Sequence, residues 1–266
     1  MKKNKILVNT NNGSYPILIG IGLINNLKKI LNSYSIKSSK YLIIFDKNIP
    51  KKYIKTIKKN IQKKTIFVKF SSSEKNKNQK SVNSILNILL KNNFNRNDCI
   101  ISIGGGIAGD VSGFAASIFK RGLKFVNIPS TLLSQVDSSI GGKTGINNQF
   151  GKNLIGSFYQ PDIVISDSKL LESLPRREII CGYAEILKHS LIKNKKFFLY
   201  LDKNLNNILN LEKKIIEKAI LESCKIKKII VEKDENENNL RKALNFGHTF
   251  GHAFEATLNF SNKLNH

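Results

Sequence analysis

The sequence predicts an N-terminal α/β Rossmann-like domain followed by an all-α C-terminal domain. Three observations carry this. Short apolar runs alternate with helix-period segments as far as 163–166, the pattern of a parallel sheet with crossover helices. One of those runs, 99–103, leads directly into Gly104-Gly105-Gly106-Ile107-Ala108-Gly109 and a helix-like segment, the strand–turn–helix setting of a dinucleotide site. Beyond Leu174-Pro175 the pattern is helical. The expected organisation is therefore 1–175 as the α/β domain and 176–266 as the helical domain.

The elements come in order. Strands at 5–8 and 15–19 flank a turn at Asn11-Asn12-Gly13, and a helix covers about 23–31. The run 41–45 is a buried strand ending at Asp46-Lys47-Asn48. An acid or amide there either meets a ribose hydroxyl or simply makes a turn. A helix at 50–62 and a strand at 65–70 come next, then a helix from 71–77 to about 92. Ser73, Asn76 and Lys77 are its candidate caps, and Glu74 and Lys77 lie in its first turn, where a phosphate or ribose can sit.

The stretch 101–153 holds ten of the glycines and only four lysines. Gly104, Gly106 and Gly109 satisfy G-x-G-x-x-G, and glycines let a backbone approach a diphosphate closely. The motif starts at residue 104 rather than in the first βα unit, and no acidic residue follows a second strand at the usual distance. An ordinary Rossmann dehydrogenase therefore fits poorly. A helix over 110–121, with Ala115 and Ala116 against the sheet, and a strand over 125–129 lead to the hydroxyls of Ser130 and Thr131. Gly142-Lys143-Thr144 resembles a P-loop, but the first glycine of that motif would fall on Asp137, whose carboxylate would repel phosphates. What remains is Asp137, Lys143, Lys152 and Asn153 on glycine-flexed loops, a polar cluster suited to a charged small molecule. After the strand 163–166, helices are expected over 176–193, 195–210, 211–231 and 241–258, with a polar loop at 234–239.

Composition excludes several classes. The net charge is +25, yet only five of the 44 basic residues are arginine, and the lysines are scattered among Asn and Ile. That is compositional drift at solvated positions rather than a nucleic-acid footprint. No apolar run is long enough to span a membrane, and the N-terminus lacks the apolar core of a secretory signal. Three widely spaced cysteines, Cys99, Cys181 and Cys224, are expected to be reduced, in a cytoplasmic protein.

Of four histidines, three fall in the last nineteen residues. His248 and His252 share a helix face at i, i+4, and Glu185 lies on the helix that also carries Lys188. Two histidines and a carboxylate suit Zn²⁺ with an open position. Spacing nominates Glu185, His248 and His252, and does not rank His252 against His266.

The blocks GGGIAGDVSGFAASIFKRG, IPSTLLSQVDSSIGGKTGINNQFGKNLIGSFYQP, LPRREIICGYAEILKH and LRKALNFGHTFGHAFEA, in this order, resemble the 3-dehydroquinate synthase family over nearly the whole chain. The resemblance implies an NAD⁺- and Zn²⁺- or Co²⁺-dependent lyase of the shikimate pathway. It converts 3-deoxy-D-arabino-heptulosonate 7-phosphate to 3-dehydroquinate and phosphate by transient oxidation, phosphate elimination, re-reduction and aldol closure. It implies an NAD-binding domain, a helical domain and usually a dimer. Carried over by motif, the metal ligands become Glu185, His248 and His266, and His252 becomes a substrate and proton-relay residue. NAD⁺ would meet Asp46, Asn48, Glu74, Lys77, Gly106, Gly109, Asp110, Ser130, Thr131 and Lys143, with Lys152 nearby. The substrate would meet Asp137, Lys143, Asn153, Lys188, Lys227, Arg241, Asn245 and His252, with Arg121 reaching its phosphate, across a dimer if need be. Of these, Lys143, His252, Asn153, Lys188, Arg241 and Asp137 are the candidate catalytic residues. Family members continue well past the last metal histidine, so the resemblance leads us to expect either a chain shortened at its C-terminus, slow and poorly stable, or a fragment of a longer sequence. Competing readings are another sugar phosphate cyclase, a glycerol-type NAD- and metal-dependent dehydrogenase, and a basic nucleic-acid-binding protein.

Overall fold

The structure, a computed structural model, describes residues 3–11, 13–61 and 64–247, together with Gly251, Phe254 and Thr257. His248, His252 and His266 lie outside the described residues. In chain order the strands are β1 (Asn4–Thr10), β2 (Gly13–Gly20), β3 (Lys40–Asp46), β4 (Lys64–Phe70), β5 (Cys99–Gly104), β6 (Lys124–Pro129), β7 (Lys143–Asn148), β8 (Gly151–Phe158) and β9 (Ile163–Asp167). The helices are α1 (Leu27–Ser33), α2 (Lys51–Asn60), α3 (Gln79–Lys91), α4 (Gly106–Ile118), α5 (Arg176–Lys193), α6 (Lys195–Lys203), α7 (Leu205–Leu209) and α8 (Lys213–Lys233).

Seven strands form one sheet in the order β1-β2-β9-β6-β5-β3-β4, parallel except for the β1–β2 pair. Ile100, Ile101, Val126, Ile128 and Ile165 are fully buried, as a parallel sheet covered on both faces requires. After β3 the chain moves outward to β4 and then returns across β3 to β5, so the winding direction reverses between β3 and β5. A ligand crevice forms outside the carboxyl ends of such a strand pair, and here those ends are Asp46 and Gly104.

Helices α5 to α8 pack on the β1–β2 edge. Ile6, Val8, Ile17 and Val164 of the sheet share one buried cluster with Ile186, Leu201, Ile220 and Val231 of these helices, and Leu132, Val136 and Ile140 sit between. The glycine-rich stretch after β6 thus forms the seam between sheet and helices.

Four local expectations are corrected. The stretch 143–158 is an antiparallel hairpin, β7–β8, rather than loops. Asn148 Oδ1 accepts from the amides of Phe150 and Gly151 and closes its turn, and at Gly156 an added Cβ would lie 2.1 Å from the Thr144 carbonyl oxygen, so only glycine lets the strands meet there. Helix α3 is capped by Asn78, whose side chain accepts from Ser81 N, rather than by Ser73. The helix expected over 195–210 divides at Asn204 into α6 and α7. The region expected to open a helix at 241 is a 3₁₀ turn over Leu240–Asn245. Most of the remainder of that expected helix lies outside the described residues. The three cysteines are free, as expected.

Candidate active site

The glycine turn is shaped by contact. An added Cβ on Gly104 would fall 2.6 Å from Ala108 Cβ and 3.4 Å from Asp46 Cβ. On Gly106 it would fall 3.0 Å from Ser138 Oγ. At these glycines the backbone itself faces the narrow crevice, where the first turn of a helix offers amides without a helical partner. Ser130 N–H donates to Gly104 O at 2.9 Å, and Thr131 Oγ1 and Ser134 Oγ bond to one another at 2.8 Å, fixing the opposite wall.

On the β3 side, Asp46 accepts from the amides of Asn48 at 2.7 Å and Ser72 at 3.1 Å. Asn48 is exposed beside it. Lys77 is buried and pairs with Asp110 of α4 at 2.6 Å. Burial pushes the Asp110 carboxyl up, and the ammonium of Lys77 only partly offsets this. Glu74 accepts from Asn147 Nδ2 at 2.7 Å, and Asn147 N–H donates to Lys77 O at 2.8 Å. The hairpin is thereby tied to the crevice, with Lys152 and Asn153 exposed on β8 and Asn153 in the left-handed region at φ 59°.

The second cluster lies at the seam. Glu185 and Lys188 are buried on α5, and Lys227 is buried on α8. Lys227 Nζ donates to the Asp137 carbonyl at 2.6 Å and pairs with its carboxylate. Burial works to raise the Asp137 carboxyl, but Lys227 outweighs it and holds the group well below the usual carboxylate range. Burial depresses the Lys227 ammonium in turn, against the pull of Asp137. Glu185 Oε1 lies 2.7 Å from Lys188 Nζ and 3.1 Å from His189 Nε2. Burial and the Asp137 charge push Glu185 up, while the His189 contact and Lys188 more than compensate.

Donor atoms of Asp137, Glu185 and His189 all lie within 4.8 Å of one another. Glu185 Oε1 and His189 Nε2 are both shut off from solvent without a well-angled hydrogen bond. Two carboxylates and an imidazole gathered this closely are a donor set that fits a divalent cation, with Glu185 as a ligand.

Arg241 lies near enough to the seam for its charge to act on Lys227 and to feel Asp137. Arg241 is buried, donating to Gly141 O at 3.1 Å and Glu235 O at 2.6 Å, so it braces the glycine loop from beneath. Exposed Lys143 pairs with Glu237, which adopts φ 60°. Asn245 lines a cleft of about 830 Å³ with Glu237, Ile192 and Phe246. Arg121, also in the left-handed region, follows the C-terminal end of α4. It lies about 20 Å from the Gly106 end, the length of a 13-residue helix. The sequence reading missed His189, Ser223 and Glu237. The signal for His189 was present, since it follows Glu185 at i+4 on one helix face.

The fold is shared with 2-deoxy-scyllo-inosose synthase. It superposes on a structure of 2-deoxy-scyllo-inosose synthase complexed with carbaglucose-6-phosphate, NAD⁺ and Co²⁺ with a TM-score of 0.86, at 24% identity, covering 96% of this chain and 71% of that one. Sequence narrows the assignment. Profiles of the 3-dehydroquinate synthase N-terminal and C-terminal families match residues 67–181 and 182–266. The 3-dehydroquinate synthase of Pelagibacter ubique is 62% identical over 98% of this chain and 72% of its own length. That of Alkaliphilus metalliredigens is 43% identical over 96% of this chain and 71% of its own. The chain belongs to the 3-dehydroquinate synthase family, a family of carbon–oxygen lyases.

Proposed function

We propose that this chain converts 3-deoxy-D-arabino-heptulosonate 7-phosphate to 3-dehydroquinate and phosphate. Residues 1–175 form the NAD-binding domain and 176–266 the metal and substrate domain. The observation that carries the reading is the cluster at the seam, where buried Glu185, Lys188 and Lys227 meet the partly exposed Asp137, beside the crevice at the ends of β3 and β5. When bound, NAD⁺ supplies a hydride acceptor and donor, and Zn²⁺ or Co²⁺ supplies a Lewis acid for substrate oxygens.

The chain's own residues divide the work. Gly106, Gly109 and the first turn of α4 receive the diphosphate, with Ser130, Thr131 and Lys152 around it. Asp46 and Asn48 take the ribose, and Glu74 and the Lys77–Asp110 pair set the floor. Glu185, with His248 and His266, holds the metal. Lys143, Asn153, Lys188, Lys227 and Asn245 face the anionic substrate, and Asp137 and His252 orient and relay its protons. Preorganised ammoniums around a departing dianion stabilise charge that grows during elimination. Arg241 supports the loop carrying Gly141, and reaches substrate if that loop shifts. Arg121 reaches the substrate phosphate, across a dimer if need be. The assembly is a homodimer, and the compartment the cytoplasm. Among the described residues no helix is long and apolar enough to cross a membrane.

Phosphate release from the heptulosonate phosphate, with and without chelator, tests the reading. Glu185→Ala is expected to abolish metal-dependent turnover. Full activity of that variant in chelator would overturn the assignment, and net NADH formation from a simple alcohol would favour the dehydrogenase reading.

A further inference from the structure

His189 is given no role in the proposed chemistry, yet it is completely buried and touches two functional elements. Its Nδ1 lies 2.6 Å from Ser223 Oγ of α8, and its Nε2 lies 3.1 Å from Glu185 Oε1, one turn earlier on α5. Ser223 is itself fully buried. We propose that Ser223 and His189 form a relay that orients the Glu185 carboxylate for its metal, with His189 a positioning residue and not a ligand. This rests on Glu185 being a metal ligand.

The polarity of the relay is set by charge. A neutral imidazole has one N–H and one lone pair. With the proton on Nδ1, the Nε2 lone pair would face the carboxylate oxygen at 3.1 Å, which is repulsive. With the proton on Nε2, the ring donates toward Glu185 and Nδ1 accepts from the Ser223 hydroxyl, so each contact is attractive. A serine suits this arrangement because its hydroxyl can turn to donate. Binding a cation at Nε2 instead would require room at an atom with no solvent-accessible surface. The carboxylate keeps its second oxygen for the metal while the ring fixes its rotation. Partners of this kind set ligand geometry and affinity without touching the ion.

The test is Co²⁺ affinity of the full chain, without NAD⁺ or substrate, by chelator competition, with the visible absorption of bound Co²⁺ recorded. His189→Leu is expected to weaken Co²⁺ binding by about 10- to 100-fold, with the shape of the absorption band unchanged. His189→Gln, whose amide N–H replaces the Nε2 donor, is expected to recover most of that loss. Ser223→Ala is expected to weaken binding by several-fold, and Ser223→Thr to restore it. Wild-type affinity in His189→Leu, or in Ser223→Ala should the leucine variant not fold, overturns the relay. A His189→Gln variant that binds as poorly as leucine and shows an altered band overturns it in favour of direct ligation. Glu185→Ala separates the two levels. If it binds Co²⁺ like wild type, the assignment of Glu185 as a ligand fails. If it loses Co²⁺ while His189→Leu does not, only the relay fails.

Discussion

Replacing Lys227 by methionine isolates the main electrostatic feature of the seam. The substitution keeps an unbranched apolar stem and removes an ammonium that is only 4% exposed. Two charge-assisted contacts disappear, to the Asp137 carbonyl and to its carboxylate. The Asp137 carboxylate is then left beside Glu185 with burial acting against its charge. Removing one partner of a buried pair costs about 3–5 kcal/mol. Lys188 still faces the same group, so the lower part of that range, about 3 kcal/mol at pH 7, is expected. For a chain of this size that corresponds to roughly 6–12 °C in Tm.

The pH dependence carries the sharper signature. In the native chain the Asp137 value is depressed, so its contribution is fully present above the unfolded carboxylate value near 3.8 and is lost only as pH falls through the lower folded value. In Lys227→Met, with its main cation gone and burial still opposing the charge, the folded value is expected to rise above the unfolded one. Its penalty is then largest at neutral pH and is relieved as pH falls through that raised value. Denaturant unfolding at pH 7 and pH 5 is expected to show a smaller difference from wild type at the lower pH, and Lys227→Met/Asp137→Asn is expected to recover most of the loss. An equal difference at both pH values, or one below about 0.5 kcal/mol, would refute the reasoning.

Two further substitutions probe packing. Gly141 has φ +94°, and an added Cβ would lie 2.3 Å from Arg241 Nη2. Gly141→Ala is therefore expected to destabilise by about 3 kcal/mol, from left-handed strain plus displacement of Arg241, and to lower kcat/KM, as unfolding curves and turnover will show. Gly182 sits inside α5, where alanine ordinarily stabilises by about 1 kcal/mol. Here its Cβ would fall 2.4 Å from Leu132 Cβ, so Gly182→Ala is expected to destabilise by about 1–3 kcal/mol, and a rise in Tm would show that α5 can shift without cost.

The sheet was legible because parallel strands buried on both faces read as continuous apolar runs, and β3, β5, β6 and β9 fall within about a residue of expectation. The hairpin β7–β8 was not, because its strands carry Asn, Gly, Lys and Ser at exposed positions and lack the apolar alternation that marks a strand. What makes them pair is a close approach of two glycine backbones, which has no periodic signature. Helix termini shifted for a similar reason. Asn78 and Ser73 are equally good caps by type, and only the entry path of the chain decides between them. In the site, Glu185, Lys188 and Asp137 were readable as residue types near glycine. Their convergence with Ser223 and His189 depends on how α8 crosses α5, which sequence spacing does not encode.

The charge of the chain shows where composition ends and selection by structure begins. A net charge of +25 makes almost any lysine look like drift. Burial separates them. Among the described residues three lysines are buried: Lys77, Lys188 and Lys227. Taking an ammonium out of water costs several kcal/mol unless a partner offsets it, so a solvated lysine gives no reason for a fold to enclose it. Each of the three faces a carboxylate, Asp110, Glu185 and Asp137 respectively. One pair stands at the dinucleotide crevice and two at the seam. Structure alone would be served as well by apolar residues of equal volume, which pack without that desolvation cost. On the proposed function, the enclosed ammoniums stand ready for anionic ligands, the Lys77 pair for the dinucleotide and the two seam pairs for the sugar phosphate, and the carboxylates hold them in place until these arrive.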